Sequence, residues 1–313
     1  KIKGRLTLLL KKDSLKKIMI VIFVSLVLFA LVSILIEDPK INQPRIINQN
    51  QAIPSEEKST ELESLKILLS LNKEIKDSTL FKNDLFLLTK DESLIKFSIR
   101  DNTKTEILLP EELKKPAYLS SMESLQLVFI ISQDQVYSYS PITNSFSENI
   151  IVVPDNFKGI GTGTYLTYLY LLDQNSNQLY RYHRAPGGFG ASKKWLKETV
   201  DLKNATDVDI SDSIYIAFDD SKIQRYFQGK KEKEFNLGED FTPVKIRTKI
   251  NRDEIFALDK KQGKILKLSE NDNLLVSFQD PQFKDANNLS VDFENKKVFV
   301  ITKKNEILTF DYQ

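Results

Sequence analysis

The first place to look for chemistry in this 313-residue chain is its single histidine, His183, and the chain has no cysteine at all. Histidine supplies most acid–base catalysis and many metal ligands, so these counts argue against zinc clusters, HExxH proteases and Ser-His-Asp hydrolases. Thiolate metal sites, disulfides and cysteine nucleophiles are excluded outright. In YRYHR the residues alternate along a strand, which puts His183 on the face of Arg181 and opposite Tyr182 and Arg184. It reads as a surface or strand-end histidine, with a binding contact as the alternative. The segment that follows, RAPGGFGASKKW, carries the only tryptophan, Trp195. Gly187, Gly188 and Gly190 permit positive backbone angles, as phosphate-cradling loops require, but no strand followed by a helix N-terminus is expected there. Two readings remain: a long hairpin whose Phe189 and Trp195 fold back onto the sheet, or a loop that recognises a partner through exposed aromatics and arginine. His183, Arg184, Phe189 and Trp195 are the candidate recognition residues.

Acidic residues offer a second possibility. Asp207, Asp209 and Asp212 surround one strand, and Asp219 and Asp220 follow the next, a density of carboxylates that suits calcium. No EF-hand or nonapeptide pattern accompanies them, and turns are rich in aspartate for backbone reasons alone. The glycines of GIGTGTY, at 159–165, belong to a strand, because GxGxxG is incomplete and no Rossmann unit surrounds them. No catalytic set, metal site or cofactor is assigned.

The elements that position these residues come from a repeat. Three or four apolar residues, a short polar turn and an alternating run recur six times, as in DLFLLTKDESLIKFSI and KVFVITKKNEILTFDY. The aligned aromatics are Phe86, Phe129, Tyr170, Tyr215, Phe256 and Phe299, spaced by 43, 41, 45, 41 and 43 residues. Units of this length, each supplying four short strands, are the signature of propeller blades. The fourth copy shows all four strands (ATDVDIS, SIYIAF, KIQRYFQ, KEFNLG), whereas the sixth has only three before Gln313. The spare segment ESLKILLSL, at 63–71, is expected to supply the missing outer strand, removing an exposed edge and closing the ring. The fold expected is thus all-β, a six-bladed β-propeller of four-stranded blades over 63–313, its N-terminal strand closing the last blade. The inner strands carry Asn204, Asp207, Lys245, Arg247, Asp285, Asn287 and Asn288, and whether these converge is not readable from order alone.

The repeated phrase resembles the six-bladed propellers of the NHL and related families, whose units pair a strand such as ATDVDIS with one such as SIYIAF. The likeness extends over about 250 residues. It implies a fold and a mode of binding, and no particular reaction.

The front of the chain is a different object. Residues 18–36, IMIVIFVSLVLFALVSILI, form an uncharged run of 19 residues. At 1.5 Å per residue it spans about 28 Å, close to a bilayer's hydrocarbon thickness, so an uncleaved transmembrane helix in contact with lipid is expected. A signal peptide would have a shorter apolar region and a small-x-small cleavage site, and here the run passes directly into Glu37-Asp38-Pro39. Residues 1–17 carry seven basic groups against Asp13, which places this flank in the cytoplasm and the ring outside the cytoplasmic membrane of a bacterial-type cell. Residues 37–62, with three prolines and several Asn and Gln, read as a flexible spacer. The chain begins at Lys1 without a methionine, and by family resemblance some bacterial proteins of this layout carry a cytoplasmic signalling domain, such as a PP2C-type phosphatase or a kinase, ahead of the span, though no residue here shows one.

Residues 37–313 have 38 basic and 42 acidic residues, with no concentrated positive surface beyond local mixing at 229–233, so nucleic acid is not an expected partner. Three classes of function follow. The first is a membrane-anchored binding or sensing module for a protein, glycan or envelope component. The second is a scaffold in an envelope complex, and the third a propeller enzyme of lactonase or lyase type.

Overall fold

The computed structural model describes residues 58–313, apart from 61, 63, 260 and 270–274. Six antiparallel sheets of the kind the repeat demands follow one another along the chain. Their inner strands are Ile75–Phe81, Tyr118–Met122, Gly159–Tyr165, Ala205–Ile210, Pro243–Arg247 and Ala286–Asp292, which define blades one to six. Each aligned aromatic lies on the second strand of its blade and is buried.

Alternation along these strands sends apolar side chains to both faces of a blade, and a lone sheet cannot cover both. The core is therefore divided into six seams, one between each pair of neighbours. Phe86 packs into the seam of blades one and two, Phe129 into two and three, and Tyr170 into three and four. Tyr215, Phe256 and Phe299 continue the series, the last joining Leu85 and Leu87 of blade one and so closing the ring. Burying one such ring contributes roughly 2–3 kcal/mol.

Closure at the backbone comes from Lys66–Ser70, which pairs antiparallel with Glu306–Asp311 as the outer strand of blade six. The chain joins the sheets slightly earlier than its hydrophobic pattern suggests. Lys58–Thr60, within the stretch read as spacer, pairs in parallel with Leu275–Gln279 and adds a fifth strand to blade five. Pairing needs only backbone groups, so the polar sequence KST gave no periodic signal. Among the described residues no helix is long and apolar enough to cross a membrane, and the expected span at 18–36 lies outside them.

Candidate functional site: the mouth of the central channel

The six inner strands surround an axis, and what reaches that axis is set by a backbone irregularity. In five blades the pairing of inner and second strands shifts by one residue near its start, between Ile75 and Asp77, Gly159 and Gly161, Ala205 and Asp207, Pro243 and Lys245, and Ala286 and Asn288. Such a bulge re-aims the residue after it. Those residues are Asp77, Gly161, Asp207, Lys245 and Asn288, and the four with side chains meet in one network. The skipped residues reach sideways instead: Thr206 donates to the Pro243 carbonyl at 2.7 Å and Lys76 to that of Pro116 at 2.5 Å.

Lys245 Nζ lies 3.3 Å from Asp207 Oδ1 and 3.6 Å from Asp77 Oδ1. Blades one and four face each other across a ring of six, so this one ammonium links opposite walls. Arg247 Nη1 is 3.1 Å from Asp207 Oδ2, its Nη2 donates to Asn288 Oδ1 at 3.2 Å, and Asn288 Nδ2 donates to Asp77 Oδ1 at 2.8 Å. Each carboxylate also accepts a backbone N–H from the next blade, Asp77 from Leu119 and Asp207 from Ile246. Burial works against both cations, but Asp207 foremost, with Asp77, holds the Lys245 and Arg247 pKa values above their usual range. The network ties five of the six blades together, blade three excepted.

Space remains at a level nearer the turns that join inner to second strands. A cavity of about 460 Å³ opens there, lined by all six inner strands and rich in hydroxyls such as Thr79, Ser120 and Ser121. Asp209, two residues beyond Asp207, lines it too. Its oxygens accept from Thr248 N at 2.7 Å and Ile210 N at 3.0 Å. The carboxylate keeps part of its surface open to the cavity, yet protein surrounds it on every side. Burial therefore pushes its pKa up to about 6, with Asp207 adding to the rise and Arg247 and the two N–H groups opposing it. Across the mouth, Lys249 Nζ reaches Glu123 Oε1 at 3.3 Å, joining the opposed blades five and two, and Arg252 holds Glu294 at 3.0 Å. Exposed pairs of this kind contribute about 1 kcal/mol or less, so the strap opens at small cost.

The residues singled out from sequence divide. Asp207, Lys245, Arg247 and Asn288 converge on the axis, while Asn204 turns its carbonyl to the Asp219 N–H, Asp285 lies 3.8 Å from Lys304, and Asn287 is the skipped residue of its bulge. Asp212 caps a turn by accepting from Asn251 N, and Asp220 pairs with Lys222. Among the described residues no three His, Cys, Asp or Glu groups come together to hold a metal ion. Asp77, Glu123 and Lys249 were missed. For Asp77 a signal existed, since it holds the same place after the bulge as Asp207.

The loop of blade three is built into a seam. Phe189 is buried with its ring 5.6 Å from that of Phe129, Arg184 lies over Phe189 at 4.9 Å and donates to Asn149 Oδ1 at 2.6 Å, and Trp195 stands edge-on to Tyr170 at 6.5 Å. Gly188, at φ +153°, lies against the Ile150 backbone so closely that a Cβ would meet its nitrogen at 2.3 Å, and the Phe189 N–H donates to the Ile150 carbonyl. Of the four candidates only His183 is exposed. Antiparallel order puts third-to-outer turns on the same face as inner-to-second turns, so His183 stands on the mouth face, toward the rim.

Known structures share this architecture. A virginiamycin B lyase from Staphylococcus aureus, solved with quinupristin as a catalytically inactive histidine-to-alanine variant, is 15% identical, with 80% of this chain and 89% of that one covered at a TM-score of 0.53. Regucalcin from Agrobacterium tumefaciens, described as a calcium-binding protein, is 11% identical over 81% and 95% at 0.58. YCF48 bound to a D1 peptide is 10% identical over 78% and 80% at 0.53. These likenesses show the fold. No protein-family model matches the chain, and no curated protein does.

Proposed function

We propose that this chain is a membrane-anchored, extracytoplasmic β-propeller that acts as a binding or sensing module for a protein, glycan or envelope component, with the mouth face of the ring as its recognition end. The observation that carries this reading is the internal pairing of the channel network. Asp77, Asp207, Lys245, Arg247 and Asn288 are engaged with one another and with backbone groups, so these five stiffen a platform and none of them stands free as an acid, base or nucleophile. The virginiamycin lyase variant named above lost its activity with one histidine, whereas His183 does not line the cavity here. Anchorage rests on the apolar run at 18–36 and its basic flank.

The test is capture of envelope fragments and extracellular proteins on residues 49–313, the compact unit that contains the ring. Substituting Phe189 or Trp195 would test folding, because both are packed. The informative variants are the exposed ones: Glu123→Ala, Lys249→Ala and Glu294→Ala combined, and His183→Ala alone. Specific capture that the triple variant loses, with circular dichroism unchanged, is the expected result. Specific capture that survives both would remove the mouth face as the recognition end, and no capture at all would turn attention to a scaffold assembled only in the membrane.

A further inference from the structure

The charges around the cavity do not balance, and the imbalance has an address. Asp77 and Lys82 face it from blade one, Glu123 from blade two, Asp207 and Asp209 from blade four, Lys245, Arg247 and Lys249 from blade five, and Asp292 and Glu294 from blade six. Blade three lines it with no charged residue. At the floor three carboxylates, Asp77, Asp207 and Asp209, meet two cations, and both cations are ion-paired to Asp207, with Lys245 shared with Asp77. Among the described residues Asp209 belongs to no ion pair, and its oxygens take two backbone N–H groups. A carboxylate offers about four acceptor sites, so two remain on a residue that lines the cavity. On other walls of the same cavity the hydroxyls of Thr79, Ser120 and Ser121 supply further acceptors. The wall thus has an acid that belongs to no ion pair among the described residues, in a hydroxyl-rich space whose mouth is crossed by exposed ion pairs.

We infer that the cavity is a binding site for a small cationic group, a primary ammonium on a slender chain, which enters past the Lys249–Glu123 strap and pairs with Asp209. The inference rests on the reading of the mouth face as the recognition end, and it names the chemistry recognised there: a free amine or an amino group on a larger envelope component. A cation of this size completes the charge balance of the floor. Glu123 and Glu294 at the rim raise its local concentration before entry. An anion would find Lys245 and Arg247 already occupied, and a neutral ligand would leave Asp209 as it is. Because burial holds Asp209 partly protonated near pH 6, and the ammonium binds only its ionised form, affinity rises with pH through that range. Lys245 and Arg247, held above their usual pKa values, keep their charge throughout and contribute no change.

The experiment is calorimetric titration of the purified full chain, in detergent micelles, with 1,6-diaminohexane, 1,6-hexanediol and adipate as cationic, neutral and anionic probes of equal length. Expected are saturable binding of the diamine alone, affinity about tenfold higher at pH 7 than at pH 5, and at least tenfold loss in Asp209→Asn with Asp212→Asn unchanged. Binding of the diol or adipate as tight as that of the diamine, or no saturable heat with any probe, overturns the inference. If Asp209→Asn fails to fold, the pH series on the unaltered chain decides, because a flat profile rules out Asp209 as the partner. Loss of envelope capture in the mouth variants without any diamine binding would leave the recognition face standing and remove the cationic site. Diamine binding without envelope capture would do the reverse.

Discussion

Leu289 and Asn288 are neighbours on one inner strand and do opposite work: Leu289 is sealed in the seam with blade five, while Asn288 bridges Asp77 and Arg247 at the axis. Val208 beside Asp207 and Ile246 beside Lys245 repeat the arrangement. The seams need only apolar residues of suitable size at alternate positions, a tolerant requirement. The axis needs a given charge at the position following a bulge, in a blade whose partners lie one to three blades away. One region is specified by pattern and the other by geometry, and the fold itself is shared with chains only 10–15% identical.

The comparison is broken most severely at the seams. Phe299→Ala removes the ring that joins blade six to Leu85 and Leu87 of blade one and should cost about 3–5 kcal/mol in guanidinium unfolding. A loss under about 1 kcal/mol would show that the closing seam is not a principal source of stability. Next comes the axis. Lys245→Met leaves Asp77 and Asp207 facing each other without their shared cation, and since all three side chains are largely buried the cost should be about 3 kcal/mol. Adding Asp77→Asn should recover part of it, and a double variant as weak as the sum of the singles would refute the coupling.

Asp209 sharpens the contrast because it is a cost that the axis bears. Its native pKa, near 6, lies above that of an unfolded aspartate, so the folded state binds more protons between the two values and stability falls as pH rises from about 4 to about 6. Asp209→Asn should therefore flatten this slope; its amide oxygen can accept only one of the two backbone N–H groups that the carboxylate accepts, so the pH dependence and not the absolute stability is the measure. Parallel pH–stability curves for the two proteins would contradict the assignment. The smallest effect belongs to the strap: Glu123→Ala, at an exposed pair, should change stability by under about 1 kcal/mol and lose even that at high salt.

Much of the ring was legible in the chain itself. The six aromatics give the blade count, and the missing strand after Tyr312 together with the surplus strand at 63–71 gives the manner of closure, because apolar alternation and edge pairing are local, countable properties. The site was legible only in part. Asp207, Lys245, Arg247 and Asn288 were named together with Asn204, Asp285 and Asn287, and nothing in composition separates the two groups. Asn287 and Asn288 are identical and adjacent, and only the bulge decides which reaches the axis. Phe189 and Trp195 were read first as folding back onto the blade and alternatively as recognising a partner, and the approach of Gly188 to Ile150 sets Phe189 in the seam.

Sequence by itself determined the strand content, the number of blades and the apolar lining of every seam, since each depends on side-chain alternation within some forty residues. Tertiary structure alone decided that Lys245 would meet Asp77 and Asp207, that Lys249 would cross to Glu123, and that Asp209 would form no ion pair among the described residues. Those contacts join residues 38 to 168 positions apart, across an axis that exists only once the ring has closed.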